Sequence, residues 1–267
     1  MKSYSPTFLR KKLVHQLLTI LIVTLAFFQS SAQKADLKYQ EALKLKEQSK
    51  WEESLGLFEG LLKNDSNNID FLTNTSYLFC KVGNRQKEES KRLSNFRTAE
   101  YLSKKAVALN ANSAQAHYNY ALALGRINEN ASSKQKIANA KLIKKECDDA
   151  VRLDPKLAGA YHILGRWHRT IAGFNFAEKA MINTLFGGVP EGRYYKASID
   201  AFSKAILLEP DVMLHKYELA QSYAERDEKG DDIVCKVWCK KVLEMTAKDD
   251  DDKDTQTKAR DLLKKVE

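Results

Sequence analysis

Proline and glycine are scarce in this chain. Its 267 residues include 4 Pro and 11 Gly. An all-β protein with many tight turns usually contains more of both, because these two residues supply the backbone geometry of turns. Hydrophobic residues make up 43% of the chain and charged residues 30%, which is the balance of a soluble globular protein. The composition therefore argues against an all-β fold.

The chain also lacks the common short motifs of enzymes. It contains no G-x-S-x-G, no H-E-x-x-H and no G-x-x-x-x-G-K-[ST] motif. The glycines at 187, 188 and 192 have the wrong spacing for a phosphate-binding loop. An enzyme would need titratable residues clustered in one pocket, and no such pattern is visible. We therefore predict a protein that is not an enzyme and that uses no cofactor.

Cysteine and histidine show no metal-binding pattern. No C-x-x-C pair is present, and His162 and His168 are six residues apart, so they do not share a helix face. Cys235 and Cys239 are four residues apart on a predicted helix, where a disulfide would be strained. We expect both to be small buried apolar side chains, and we predict no metal site.

The first 32 residues have the organisation of a secretory signal. Four basic residues precede an almost wholly apolar run at 13–28, and the first 32 residues contain no acidic residue. Small residues then lead to Ala32, which is the order of a signal peptide. Cleavage near Ala32 would export the mature chain, 33–267, to the periplasm or the extracellular space. The alternative is an uncleaved N-terminal membrane anchor, although the run is shorter than the roughly 20 residues of a spanning helix. Membrane contact is expected only in that second case.

The positive charge of the chain is partly carried by this leader. Its four basic residues account for four of the formal +9, which leaves +5 on residues 33–267. A charge this mild does not call for nucleic acid as a partner.

An internal repeat organises the rest of the chain. Three segments share an alanine followed three residues later by leucine, and each then leads to a helix stop. In two of them the stop contains Pro155 or Pro210, which cannot continue a helix. The three leucines are Leu109, Leu153 and Leu208. We predict a helix end at each of them.

A second helical pattern follows each stop. It places a small residue beside large apolar ones, as in the W-x2-L-G-x2-Y pattern of a tetratricopeptide first helix. The small residues are Ala121, Gly165 and Ala220. They are expected where two helices approach closely. The chain is therefore predicted to be all-α, a tetratricopeptide-like solenoid of about five helical hairpins.

The repeats are longer than the standard 34 residues. Ala106 to Ala150 is 44 residues and Ala150 to Ala205 is 55. The extra residues predict elongated second helices at 85–109 and 132–153, and an inserted helix at 174–187 followed by a glycine-rich turn. A last helix is predicted at 254–266, after an acidic run at 249–252 that forms a solvated loop and helix cap.

Several stretches of the second half have a more specific pattern. They are Leu164-Gly165-Arg166-Trp167, Phe176-Ala177-Glu178-Lys179 with Thr184-Leu185-Phe186, Tyr195-Lys196-Ala197 with Phe202 and Lys204-Ala205, and Asp252-Lys253-Asp254 with Gln256-Thr257. On these residues the chain from about 99 to 267 resembles the regulator of microtubule dynamics family. The resemblance implies tetratricopeptide-like helices and a non-enzymatic role, with microtubule association or organelle tethering in eukaryotic members, some of them membrane-anchored. The apparent export signal departs from that pattern.

First helices line the concave face of a tetratricopeptide stack, so counting along them predicts a partner-binding groove. The predicted groove residues are Tyr118, Asn119, Arg126, His162, Arg166, Arg169, Tyr217 and Gln221. Guanidinium groups match carboxylates, and tyrosines offer flat apolar contact. We therefore predict a groove for a protein or peptide partner with an acidic C-terminus. Two alternatives stay open: arginines that pair with nearby glutamates, and a groove for an anionic lipid or small ligand. Trp167 is expected in the core rather than in the groove.

Overall fold

The computed structural model describes residues 33–129, 131–186 and 194–266. These residues form twelve α-helices and no β-strand, which confirms the predicted all-α class. They belong to two compact units, 33–65 and 66–266. Within the described ranges, no helix combines the length and hydropathy that crossing a membrane requires.

The first unit is a helical hairpin. Helix α1 covers 33–47 and α2 covers Trp51–Asn64. The two helices are joined by a buried hydrogen bond, in which the Ser54 hydroxyl donates to the carbonyl of Ala42 at 2.8 Å. Phe58 is fully buried between them and forms the centre of this small core. This hairpin is the earliest of the predicted repeats.

The second unit is a stack of helical hairpins. Its described residues form ten helices: α3 Ile69–Arg85, α4 Glu89–Leu109, α5 Ala114–Asn128, α6 Ser133–Leu153, α7 Ala158–Ala172, α8 Phe176–Phe186, α9 Tyr194–Leu208, α10 Met213–Arg226, α11 Asp231–Glu244 and α12 Asp250–Val266. The hairpins are α3/α4, α5/α6, α7/α9 and α10/α11. The first helices α3, α5, α7 and α10 are neighbours in that order, α8 packs on α6, and α12 packs on α10 and α11.

Local sequence signals place most helix ends. Helices α4, α6 and α9 end at Leu109, Leu153 and Leu208, as predicted. At the other ends, the side chains of Asn68, Ser113 and Ser132 accept hydrogen bonds from backbone amides of α3, α5 and α6. These caps satisfy amide groups that the first turn of a helix leaves without a partner.

Two predicted boundaries are wrong. Helix α4 does not extend back to residue 85, because α3 continues to Arg85 and Gln86 and Glu88 have extended backbone. The last helix begins at Asp250 rather than at 254, so the acidic run forms its first turn. There the Asp249 carboxylate accepts from the amide of Asp252, and the positive end of the helix dipole favours acids. The inserted helix is confirmed as α8, whereas the glycine-rich turn lies outside the described residues.

A close helix contact at a small residue recurs in the stack. An added Cβ on Gly165 of α7 would lie 2.7 Å from the Phe202 ring of α9. The Ser198 hydroxyl, one turn before Phe202, donates to the Gly165 carbonyl at 2.8 Å. In the α3/α4 hairpin, an added Cβ on Gly83 would likewise lie 2.7 Å from the Phe96 ring. The predicted need for a small residue at Gly165 is therefore confirmed.

Trp167 and the cysteines belong to the core, as predicted. Trp167 is 7% exposed, and its indole N–H donates to the Ala140 carbonyl of α6 at 2.9 Å. All four cysteines are buried with free thiols, and the Sγ atoms of Cys235 and Cys239 are 4.0 Å apart. Burial raises the pKa of the Cys80 thiol to about 12. These thiols act as small apolar side chains.

We predict that Gly165→Val destabilises the second unit by about 2 kcal/mol or more, because the added methyl groups would overlap the Phe202 ring in a close-packed core. Chemical denaturation followed by circular dichroism measures this change. Gly125→Ala is the matched control, since an added Cβ there meets no atom within 4 Å. Alanine should stabilise α5 by up to about 1 kcal/mol. Equal stability of the Gly165→Val variant and the unsubstituted chain would contradict the steric argument.

Candidate functional site

The first helices of the second unit line a cavity of about 530 Å³, which we call the groove. Helices α3, α5 and α7 and the beginning of α10 form its walls, and α6 contributes one further side. Its apolar floor consists of Leu122, Ile143, Ile163, Trp167, Ile171 and Phe174. Trp167 is thus a core residue, as expected, that also lines the groove, which was not expected. The volume is in the range of pockets that bind small ligands or a few side chains of a peptide.

Two tyrosines form one wall of the groove. Tyr77 of α3 and Tyr118 of α5 both line it. The Tyr118 ring lies against the backbone of Gly159 in α7, where an added Cβ would be 2.6 Å from the ring. Burial raises the pKa of both phenols above their usual range, so they are neutral hydroxyls at physiological pH. They offer flat apolar surface with a polar tip.

A network of charges crosses the first helices, and we call it the charge network. Glu129 lies 2.7 Å from Arg126 and 3.1 Å from Arg166, which joins α5 to α7. Glu218 of α10 lies 3.8 Å from Arg166 and makes a close ion pair with Arg169. The guanidinium of Arg169 also donates to the Glu218 backbone carbonyl at 2.9 Å. Three successive first helices are therefore linked by ion pairs.

Glu218 is the most buried acid of the charge network. Its residue is 6% exposed. Burial on its own raises a carboxyl pKa, but the guanidinium groups of Arg169 and Arg166 outweigh burial and lower the pKa of Glu218 to about 2. Glu218 is therefore ionised at all physiological pH values. A buried charge of this kind depends on its partners.

A histidine pair lies at the α7–α10 side of the groove. His162 and His215 both line it, and their Nδ1 atoms are 2.9 Å apart. His215 Nε2 faces the Glu209 carboxylate at 3.3 Å, which favours a proton on Nε2 and leaves His215 Nδ1 to accept from His162. Burial, and then the proximity of His215, lowers the pKa of His162 well below its usual value. His162 is therefore neutral near pH 7.

The eight predicted groove residues divide into two sets. Four of them line the groove: Tyr118, Arg126, His162 and Arg166. The other four lie elsewhere: Asn119, Arg169, Tyr217 and Gln221. Whether any of the eight binds a partner stays a prediction.

The four residues outside the groove have structural neighbours that explain their positions. Asn119 is fully buried, and its side-chain amide donates to the Thr73 carbonyl of α3 at 2.6 Å. The prediction that Asn119 lies in the groove is therefore wrong. Arg169 is turned towards Glu218. Tyr217 packs on the cluster that joins α10, α11 and α12, and Gln221 donates to Glu225 at 2.8 Å on its own helix.

The acids that neutralise the arginines were not identified individually from the sequence. The open alternative, that the arginines pair with nearby glutamates, is what the charge network shows. Glu218 directly follows Tyr217, one of the predicted groove residues on the same helix. The count along the first helices could therefore have identified Glu218 as a partner of the arginines. His215 as the partner of His162 had no such signal. Among the described residues, no three His, Cys, Asp or Glu side chains are grouped as a metal site would require.

The family comparison covers nearly all of the described chain. A sequence profile described as "Regulator of microtubule dynamics protein 1-3" matches residues 32–267. Regulator of microtubule dynamics protein 1 of Bos taurus is 30% identical over 66% of this chain and 55% of its own length. The human protein of the same name is 31% identical over 67% of this chain and 56% of its own length. The chain thus spans about half the length of these curated relatives.

The structural comparison agrees with the helical repeat. A tetratricopeptide-repeat protein of Thermus thermophilus is similar, with a TM-score of 0.59 and 17% identity, over 85% of this chain and 98% of that protein. At this identity the similarity shows the fold alone. The described fold is therefore of the tetratricopeptide type.

We predict that Glu218→Gln destabilises the protein by about 3 kcal/mol, because it removes the closest and most buried counter-charge of the Arg169 guanidinium. Urea denaturation measures the loss. Glu225→Gln on the same helix is the matched control, since Glu225 is 37% exposed and lies 3.6 Å from Arg169. That control should cost less than about 1 kcal/mol. Equal losses for the two variants would show that Glu218 has no special role in stability.

We predict that the protein loses stability as the pH falls below about 6.5, the usual histidine value. The folded-state pKa is lowered for His162, and burial lowers that of His168 to about 4, so the unfolded chain binds protons first. The contribution of both histidines is complete above about pH 6.5 and falls at lower pH, and that of His168 is lost towards pH 4. The slope approaches about 1.4 kcal/mol per pH unit for each histidine. Denaturation midpoints between pH 7.5 and 5 measure it. His168→Phe should reduce the pH dependence of stability by the contribution of one histidine. A stability that does not change between pH 7.5 and 5 would refute the prediction.

Proposed function

Because this chain belongs to the regulator of microtubule dynamics protein 1–3 family, we propose that it is a non-enzymatic helical-repeat scaffold whose groove binds a protein or peptide partner. The observation that carries the proposal is the groove itself, in which an apolar floor lies between first helices and beneath a charged rim. Such a surface offers anchoring pockets for side chains and polar groups that orient the bound chain.

The charge of the groove favours an acidic segment of the partner. Four basic side chains line it, those of Lys81, Arg126, Lys136 and Arg166, against the two carboxylates of Glu129 and Glu209. Arg126 and Arg166 share Glu129, whose side chain is 28% exposed. A partner carboxylate, for example at a C-terminus, would join these guanidinium groups as a further acceptor or replace Glu129.

A second candidate function is the binding of an anionic lipid or small ligand. The observation that favours it is the apolar floor, which extends from α5 to the α6 side chains Ala140 and Ile143. Acyl chains would contact this floor, and a phosphate or carboxylate headgroup would contact Arg126 or Arg166. The two candidates use the same groove and differ in the occupant.

Localisation is part of the proposal. We propose that the leader directs export and is cleaved near Ala32, and the start of the family match at residue 32 supports a leader separate from the repeats. An uncleaved membrane anchor is the alternative. The relatives' names refer to microtubules. An exported chain would not meet them, so we propose that this scaffold serves a different partner.

We predict that a photo-crosslinking amino acid at Thr170, which is exposed at the groove, captures the partner in cells that make the full chain. Mass spectrometry identifies the adduct, as a peptide for the scaffold function or as a lipid for the second candidate. The same spectra show whether the captured chain starts at Gln33. The crosslinker at Tyr101, which is exposed on α4 outside the groove, is the control position and should not capture the same molecule.

The capture should depend on the groove's charges. Arg126→Ala with Arg166→Ala should reduce the Thr170 adduct at least tenfold, while Arg97→Ala on the exposed side of α4 should leave it unchanged. Thermal melting of each variant verifies that it is folded. Capture that is equal at Thr170 and Tyr101, or that is insensitive to the two groove arginines, would contradict the proposal.

A further inference from the structure

The two ends of the second unit are joined by ion pairs. Lys81 of α3 lies 2.7 Å from Asp251 in the first turn of α12. Arg85, one turn further along α3, lies 3.5 Å from Asp249 and 3.6 Å from Asp251. Lys81 and Asp251 are 170 residues apart in the sequence. We call these four side chains the latch.

The latch lies at the edge of the groove. Lys81 lines the groove together with Tyr77 and Cys80, the neighbouring residues of α3. The opposite side is formed by the α9–α10 turn at Glu209 and Val212 and by the start of α10. Since α12 packs on α10 and α11, the ion pairs connect the α3 side of the groove to the α10 side. A wider separation of α3 and α12 would therefore widen the groove.

The two ends of the latch are held differently by their own surroundings. On the α12 side, the Asp249 carboxylate caps the helix, and Ala259 packs with Met213 and Val242 in a buried cluster. On the α3 side, Gly83 and its neighbours pack against α4. Each helix therefore keeps its own packing when the ion pairs part.

The ion pairs that close the latch are individually weak. The side chains of Lys81 and Asp251 are 24% and 26% exposed, and that of Arg85 is 25% exposed. Partly solvated pairs of this kind contribute little free energy each and are screened by salt. The ion pairs themselves therefore add little free energy to the closed arrangement, and ionic strength weakens them further.

We propose that the acidic first turn of α12 is an intramolecular latch that closes the groove by pairing with Lys81 and Arg85, and that its opening controls access to the groove. This inference rests on the proposed function of the groove for its biological meaning. A partner that binds the open groove better than the closed one would shift the latch towards the open state. Conversely, an acidic partner in the groove would compete with the acidic turn for Lys81, the one latch residue that lines the groove.

The test measures the distance across the latch in the full chain. Spin labels are attached to Asn84→Cys on α3 and Thr257→Cys on α12, both exposed positions, in a chain that carries Cys80→Ala, because the other three native cysteines are buried and Cys80 is the thiol that an open latch would expose. We expect one narrow distance distribution at low salt. Lys81→Glu with Arg85→Glu should add a longer, broader component, and adding Asp249→Lys with Asp251→Lys should restore the narrow one.

Salt and a neighbouring ion pair supply the controls. About 0.5 M NaCl, at which screening lengths fall to a few Å, should widen the distribution of the unsubstituted latch and narrow that of the charge-reversed one, because salt screens repulsion as well as attraction. Lys91→Glu breaks the exposed pair of Lys91 with Glu88 on α4 and should have no effect on the distance. Identical distributions in the charge-reversed and unsubstituted chains would overturn the latch.

Access to the groove is measured separately through Cys80. This thiol lines the groove and is 2% exposed, so a thiol reagent should modify it slowly in the closed state. In chains without introduced cysteines, Lys81→Glu with Arg85→Glu should raise its labelling rate at least fivefold, as measured by peptide mapping. A wider distance with an unchanged Cys80 rate would overturn control of access. Neither measurement uses a partner, so a failed crosslinking experiment refutes the proposed function and leaves the latch intact.

Discussion

The second unit depends on one steric constraint, the contact of an aromatic ring with a glycine between the two helices of a hairpin. Phe96 contacts Gly83 in one hairpin, and Phe202 contacts Gly165 in another. Because the ring occupies the volume that a Cβ would need, the helix backbones can approach closely. This approach also brings the Ser198 hydroxyl within 2.8 Å of the Gly165 carbonyl, so the steric contact and the hydrogen bond fix the same register.

Contacts between hairpins are of a different kind. Asn119 and Trp167 each donate to a backbone carbonyl of a preceding helix, and the charge network joins α5, α7 and α10 at the groove. The arginines at the groove therefore have a structural function besides any role in recognition. Replacing Glu129 by a partner carboxylate would change the contacts between first helices as well as the surface that they present. Under the proposed function, binding would therefore be coupled to the arrangement of the stack.

The sequence predicted the features that depend on short-range patterns. Helix ends at Leu109, Leu153 and Leu208, the small residue at Gly165 and the buried Trp167 all follow from signals within one or two helical turns. The break between α3 and α4 was predicted a few residues too early, because no proline or glycine stands at residues 86–88. Pairing of the arginines with glutamates was an open alternative, but the partners across helices were not identified because they are distant in the sequence, whereas Glu129 is only three residues from Arg126. Glu129 is 37 residues from Arg166, and Glu218 is 49 residues from Arg169.

The Glu218–Arg169 ion pair and the latch differ in exposure to solvent, and under the proposal this difference would set the order in which the groove opens. Glu218 and Arg169 are largely buried, so salt screens their attraction little. The latch is about one quarter exposed, so salt screens it more strongly. Ionic strength or a competing acid therefore acts first at the α3–α12 end, while α7 and α10 stay joined by Glu218. The groove would then open from that end and keep its centre, which suits entry of an extended acidic segment beside α3.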